Sequence, residues 1–337
     1  MPDPTLLTEA RARLFKTSPT PLELVGRSAA IARVQELVRR AALSDTGVLL
    51  VADQGADVTS VAAELHSRAR RAAAPFVQVD CTSGDPSRLD EWLFGTAPEA
   101  VPGDLELVSR DGQIAASFGG TIFLRDIAEL PTSAQCRLAR IARDGEVRIE
   151  GQPVATNLRW IASASPGIES DVQTNRFRSD LYRRLAKSRI DLPPLRDRAE
   201  DVPALASRVL DDWCAAQGHA PRTMTQAALA LLAALTWSGN LSELRAVVER
   251  AAQETRHDVI QIEDVLPALN LERAPARFIP SGQLREARLR FERDYISAVL
   301  QHHGWRMAEA ATTLGIQRPN LYRKARQLGI PLTRASE

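Results

Sequence analysis

Gly119-Gly-Thr-Ile-Phe-Leu-Arg-Asp-Ile-Ala-Glu-Leu-Pro131 reads as a turn, a short apolar strand from Thr121 to Leu124, and two charged residues at the strand's C-terminal end. In open α/β sheets, ligands occupy the crevice beyond the strand tips. Nucleoside triphosphatases place carboxylates there, one serving Mg²⁺ and another orienting water. Here Arg125 takes the first position and only Asp126 is acidic. The framework is that of a nucleotide fold, and the charge at its centre opposes the chemistry.

A second buried strand, Gly47-Val-Leu-Leu-Val51, lies upstream, and Val61 to Ala73 carries a helical pattern. Between them, Ala52-Asp-Gln-Gly-Ala-Asp-Val-Thr-Ser60 has the strand, Gly-containing loop and helix layout that cradles phosphates with backbone amides and one lysine. The glycine expected before that lysine is Asp57, and the lysine itself is Val58. A carboxylate near a resting polyphosphate repels it, and valine offers no cation. Taken alone, the loop that holds Asp53, Gly55, Asp57, Val58 and Thr59 reads as an ordinary strand-to-helix turn.

Further strands are expected at Pro75–Cys81 and Leu158–Ser163, with a helix through Ala134, Leu138 and Ile141. After a proline-stiffened run from Ile190 to Arg198, three segments show helical spacing: Leu205–Trp213, Thr225–Leu235 and Leu241–Ala252. Alternating strands and helices followed by helices alone predict an α/β domain with an α-helical lid. Glu272 to Gly282 reads as a linker.

The last segment predicts three helices, about Leu284–His302, Met307–Leu314 and Pro319–Leu328, the last two joined by a turn at Gly315. That is the helix-turn-helix arrangement. Its last helix presents Arg318, Asn320, Tyr322, Arg323, Lys324 and Arg326, donors for phosphates and base edges. From Arg285 onward there are ten Arg or Lys against five Asp or Glu, in a chain whose formal net charge is +1. The tail alone is thus basic, which points to double-stranded DNA as its partner. Three dispersed cysteines form neither a metal pair nor a disulfide framework. No apolar run approaches a membrane span of about 20 residues, and a cytoplasmic protein with no membrane partner is expected.

Several of these runs together resemble the bacterial enhancer-binding proteins, the AAA+ activators of sigma-54 RNA polymerase. They are Leu93-Phe-Gly95, Gly119–Leu124, Phe177–Leu185, Leu192–Arg198, Trp237-Ser-Gly-Asn-Leu-Ser-Glu-Leu244 and, in the tail, Ala308–Lys324, which is similar to a Fis-type DNA-binding domain. The resemblance runs from about Val25 to Ile330. It implies an α/β AAA+ domain, a parallel sheet flanked by helices, over 25–196. A helical lid follows over 197–271, a linker over 272–283 and an all-α helix-turn-helix domain over 284–337, with 1–24 as an N-terminal extension.

The resemblance also implies roles, and the departures fall on them. The phosphate-loop Lys position is Val58, the metal-binding Asp position is Arg125 and the catalytic Glu position is Asp126. The nucleotide-sensing Thr-Asn is Ala164-Ser165, and the lid's sensor Arg is Ser242. Nothing like the GAFTGA loop that contacts the sigma factor lies between Gly95 and Gly112. Arg178 and Arg184 match the family's arginine-finger positions. ATP and Mg²⁺, the family's ligands, are expected to be lost, with no metal and no cofactor in their place. The reversed charges suggest an Asp57–Arg125 or Asp53–Arg125 ion pair filling the vacated pocket.

These residues lead to a DNA-binding regulator whose AAA+ body is an oligomerisation or protein-docking scaffold. Its expected partners are DNA, further copies of itself, and a homologous AAA+ activator or RNA polymerase component. The alternatives are a working ATPase that activates sigma-54 promoters, and a pseudo-ATPase partner in a hetero-oligomer with an active homologue.

Overall fold

The computed structural model describes residues 21–82, 86–96, 104–272, 296, 300, 305–307, 309, 311 and 318–328. Contacts within the chain divide it into two units, 1–272 and 273–337.

In the first unit, α1 (Ala29–Ala42) starts at Ser28, whose hydroxyl accepts the Ile31 amide at 3.2 Å. An N-terminal Ser satisfies one of the amides that a helix start leaves open. There follow β1 (Val48–Val51), α2 (Val58–Ser67), β2 (Phe76–Asp80), α3 (Pro86–Phe94), β3 (Thr121–Arg125), α4 (Thr132–Asp144), the hairpin β4 (Glu146–Ile149) and β5 (Gln152–Ala155), β6 (Arg159–Ala164), α5 (Ser179–Leu185) and β7 (Ser188–Asp191). Five strands pair in parallel in the order β2-β3-β6-β1-β7.

Parallel strands covered on both faces read as unbroken apolar runs, and all four residues of β1 are buried. Alternation sorts them onto two cores. Leu49, Val51, Ile122 and Leu124 face the side of α3, α4 and α5. Val48, Leu50, Phe123 and Ile161 face the side of α1 and α2.

Among the elements that differ from the sequence reading, two border β1. The helix after β1 begins at Val58 rather than Val61, because the Asp57 side chain accepts the Ser60 amide and caps it there. The residues from Ile190 that read as a linker begin inside β7, paired on one side to β1. A four-residue edge strand carries too short a pattern to announce itself.

The lid is α6 (Val202–Gln217), α7 (Gln226–Ala233), α8 (Asn240–Glu254) and α9 (Ile262–Glu272), closed around Leu205, Val209, Leu232, Leu244 and Val248. Helix α9 escapes the sequence reading because Pro267 lies inside it, a residue that normally ends such a pattern.

In the second unit, α10 (Arg318–Gln327) buries Leu321 and Ala325 with Ile296, Leu300, Met307 and Ala311. Most of the two preceding tail helices, the linker after 272 and residues 1–20 lie outside the described residues. Among the described residues, no helix is long and apolar enough to cross a membrane.

Candidate functional site

The loop after β1, residues 125–126 at the end of β3 and residues 163–165 at the end of β6 meet above three neighbouring strands of the sheet. They enclose a cavity of about 500 Å³, lined by Asp53, Gly55, Val58, Arg125, Asp126 and Ser165 among others. That volume suits a small ligand. Asp57, Thr59 and Ser242 belong to the same constellation but stand outside the cavity lining.

The expected Asp57–Arg125 and Asp53–Arg125 pairs are not made. Arg125 pairs instead with Asp80 at 3.2 Å and Asp126 at 3.4 Å. The reason lies in strand register: Asp80 and Arg125 are direct partners where β2 runs beside β3. Asp53 is taken by Arg196 at 2.7 Å. Asp57 is committed to its cap, accepting from the Ser60 amide at 3.1 Å and the Ser60 hydroxyl at 2.6 Å. Among the described residues lining the cavity, Arg125 is the one cation, against Asp53, Asp126 and Glu129.

Carboxylates of the chain itself occupy amides where a phosphate loop would offer its own. The Asp57 amide donates to Glu23 Oε2 at 2.8 Å. Glu23 is buried together with Arg198, which pairs with its other oxygen and donates to its backbone carbonyl at 2.7 Å. The lid then closes directly on the loop. Asn240 Nδ2 donates to the Gln54 carbonyl at 2.8 Å, and the Ser242 amide and hydroxyl donate to the Gly55 carbonyl at 3.0 and 2.9 Å. Gly55 has φ +86°, and a Cβ there would stand 2.0 Å from the Gly239 carbonyl oxygen. Only glycine fits that approach.

Asp126 has left-handed backbone, φ 53° and ψ 53°. Burial pushes its carboxyl above the ordinary value, against Arg125, with Asp80 and Glu129 adding to the rise. A raised folded value means that ionising Asp126 disfavours the folded state, so its contribution is lost as pH rises through that value. Asp126→Asn keeps the backbone preference and removes the ionisation. The variant is expected to match the natural chain near pH 3 and to exceed its stability at pH 7 by less than about 1 kcal/mol, because solvent screens the exposed part of the carboxylate. Chemical denaturation at both pH values measures the difference.

The two finger-like arginines are engaged within their own chain. Arg178 pairs with Asp180 at 2.7 Å and lies 3.2 Å from the Cys136 sulfur. Arg184 donates to the Ala142 carbonyl near the end of α4 at 2.7 Å. Where the resemblance expects a sigma-contacting loop, Glu106 is fully buried between Arg137 at 2.7 Å and Arg140 at 3.1 Å. Residues 97–103 lie outside the described residues. Sequence reasoning missed Glu23, Asp80, Asn240, Arg196 and Arg198 as members of the site. The last two lie in the Leu192–Arg198 run, and Asn240 precedes Leu241-Ser242 in the lid motif, but nothing in the sequence pairs them with the loop.

On α10, Arg318, Asn320, Arg323 and Arg326 are exposed and Tyr322 and Lys324 half-buried. The Arg318 guanidinium stands 5.8 Å from the Tyr322 ring centre. Tyr322 packs against the buried cluster that holds Leu321 and Ala325.

A parallel sheet of this order, a loop-to-helix turn after β1 and a helical lid closed on that loop define an AAA+ body, and a helix-turn-helix unit follows it. Residues 24–191 match the sigma-54 interaction domain, 196–277 the AAA+ ATPase lid domain and 288–328 the bacterial regulatory proteins of the Fis family. The chain belongs to the family of sigma-54-dependent transcriptional regulators. It is 34% identical to the nitric oxide reductase transcription regulator NorR2 of Cupriavidus necator over 91% of this chain and 63% of that protein. It is 32% identical to the alginate biosynthesis transcriptional regulatory protein AlgB of Pseudomonas aeruginosa, over 91% of this chain and 68% of AlgB. Among solved structures, NtrX of Brucella abortus in complex with ADP matches with TM-score 0.64 and 30% identity, over 96% of this chain and 72% of NtrX. The chain thus spans a little under two thirds of NorR2.

Proposed function

We propose that this chain is a sequence-specific DNA-binding transcriptional regulator whose AAA+ body holds its shape without ATP and serves as a scaffold for self-association or protein docking. The observation that carries the reading is the charge of the cavity. Its one cation among the described residues, Arg125, is neutralised by Asp80 and Asp126, and valine stands at the lysine position. Phosphoryl transfer depends almost wholly on positioning and on stabilising negative charge. A wall of carboxylates offers neither.

The test is ATP–Mg²⁺ binding by equilibrium dialysis, with phosphate release measured in parallel, for the purified chain alone and with DNA. Neither binding nor turnover is expected. Turnover would overturn the reading in favour of an ATP-driven activator of sigma-54 RNA polymerase.

In the tail, α10 enters the major groove, with Arg318, Asn320 and Arg323 at base edges and Lys324 and Arg326 on phosphates. Arg323→Ala is expected to weaken specific binding by about 1–3 kcal/mol while leaving random-sequence binding nearly unchanged. Titrations on both DNAs at one salt concentration measure this, and equal losses would make Arg323 a phosphate contact.

A further inference from the structure

A second cavity, of about 930 Å³, lies on the lid and shares no lining residue with the first. The end of α6, the turn after it and the end of α8 build it, and Leu22 closes one side. One wall is the Trp213 indole, stacked on His219 with ring centres 5.2 Å apart. The Arg222 guanidinium stands 5.6 Å from the Trp213 ring. It is fixed there by donating to the carbonyls of Ala252 at 2.6 Å and Thr255 at 3.1 Å. Arg245 and Arg256, both exposed, add two more guanidinium groups to the lining.

Two features mark this groove as unfinished. Thr255 is 5% exposed, yet its hydroxyl has no hydrogen-bond partner. An orphaned buried hydroxyl costs about 1–3 kcal/mol, and Thr255 is among the residues that line the cavity. The cations also outnumber the acids. Asp212 and Glu249 line the groove with the three arginines, and Asp212 is already paired to Arg208 at 2.9 Å. Guanidinium forks match carboxylate and phosphate oxygens, while Val209, Ala216 and Ala252 supply apolar surface.

We propose that this groove binds a small organic anion, with a phosphate or carboxylate head held by Arg245, Arg256 and the Thr255 hydroxyl and an apolar or ring-bearing body against the α6 wall. Such a ligand touches Leu22, the neighbour of Glu23, whose carboxylate holds the Asp57 amide of the loop. It is therefore placed to act on the closure of the lid, and this reading stands whether or not ATP binds elsewhere.

The experiment is calorimetric titration of the full chain with phenyl phosphate, benzoate and inorganic phosphate in a chloride buffer, repeated on two variants. One ring-bearing anion is expected to bind saturably, one per chain and more tightly than inorganic phosphate. The double variant Arg245→Ala/Arg256→Ala, altering exposed side chains only, should weaken it at least about tenfold, and the near-isosteric Thr255→Val severalfold. Preference for phenyl phosphate assigns a phosphate head and preference for benzoate a carboxylate, and both support the site. Absence of saturation below about 10 mM for all three probes, or affinity unchanged in the double variant, overturns it.

Discussion

A chain carrying Asp57→Gly, Val58→Lys and Arg125→Asp is expected to bind ATP–Mg²⁺ at least about 100-fold more tightly than the natural chain, a gain of about 2.7 kcal/mol. Val58 is the first residue of α2 and lines the cavity, so a lysine there can reach into it. A charge-assisted hydrogen bond to phosphate is worth about 1.5–3 kcal/mol. Asp57→Gly removes a carboxylate from the loop, although it also removes the cap on α2, at about 1 kcal/mol. Arg125→Asp places an acid beside Asp80 and Asp126, where only a divalent cation relieves the crowding, so the gained binding should vanish in EDTA. Calorimetry with and without Mg²⁺ measures it. Failure of the triple variant would mean that the lid contacts of Asn240 and Ser242, rather than the missing cation, keep nucleotide out.

The second large effect lies beneath the same loop. Arg198→Ala is expected to lower the unfolding free energy by about 3–5 kcal/mol, the usual consequence of leaving a buried charge without its partner. Arg198 and Glu23 are 1% and 2% exposed at their side chains, and the substitution removes the ion pair and the donor to the Glu23 carbonyl together. The pair itself need not be stabilising. Burial lifts the Glu23 carboxyl above its ordinary value even against the pull of Arg198. The double variant Glu23→Met/Arg198→Met should accordingly recover most of the loss. Denaturant unfolding of the two single variants and the double variant closes the cycle. A loss below about 1 kcal/mol for Arg198→Ala would show that water reaches Glu23.

Much of the architecture was readable from local pattern. Val48 to Val51 had to be a strand covered on both faces, because an unbroken apolar run of that length has no solvent-facing side. The amphipathic repeats of the lid and the basic face of α10 were likewise legible. Local pattern did not supply the short β4–β5 hairpin, β7, too short to show a period, or α9, masked by its internal proline. The site divided in the same way. Absence of a lysine at Val58 and of an acid at Arg125 needs only the residue identities. The partners of the charges that remain are another matter: Arg125 has two loop carboxylates to choose from in sequence and takes neither.

The sequence by itself determined most of the strands and helices, the helical character of the lid, the basic face of the last helix and the valine and arginine that stand at positions 58 and 125. All of these follow from residue type and short-range periodicity. Only the tertiary structure decided where the unmatched charges went. The β2–β3 register set Asp80 beside Arg125, the chain between β7 and the lid brought Arg196 to Asp53, and the lid set Ser242 on Gly55. Ion pairs and hydrogen bonds act over a few ångströms, and residues 45 to 187 positions apart come that close only through the packing of the sheet and the lid.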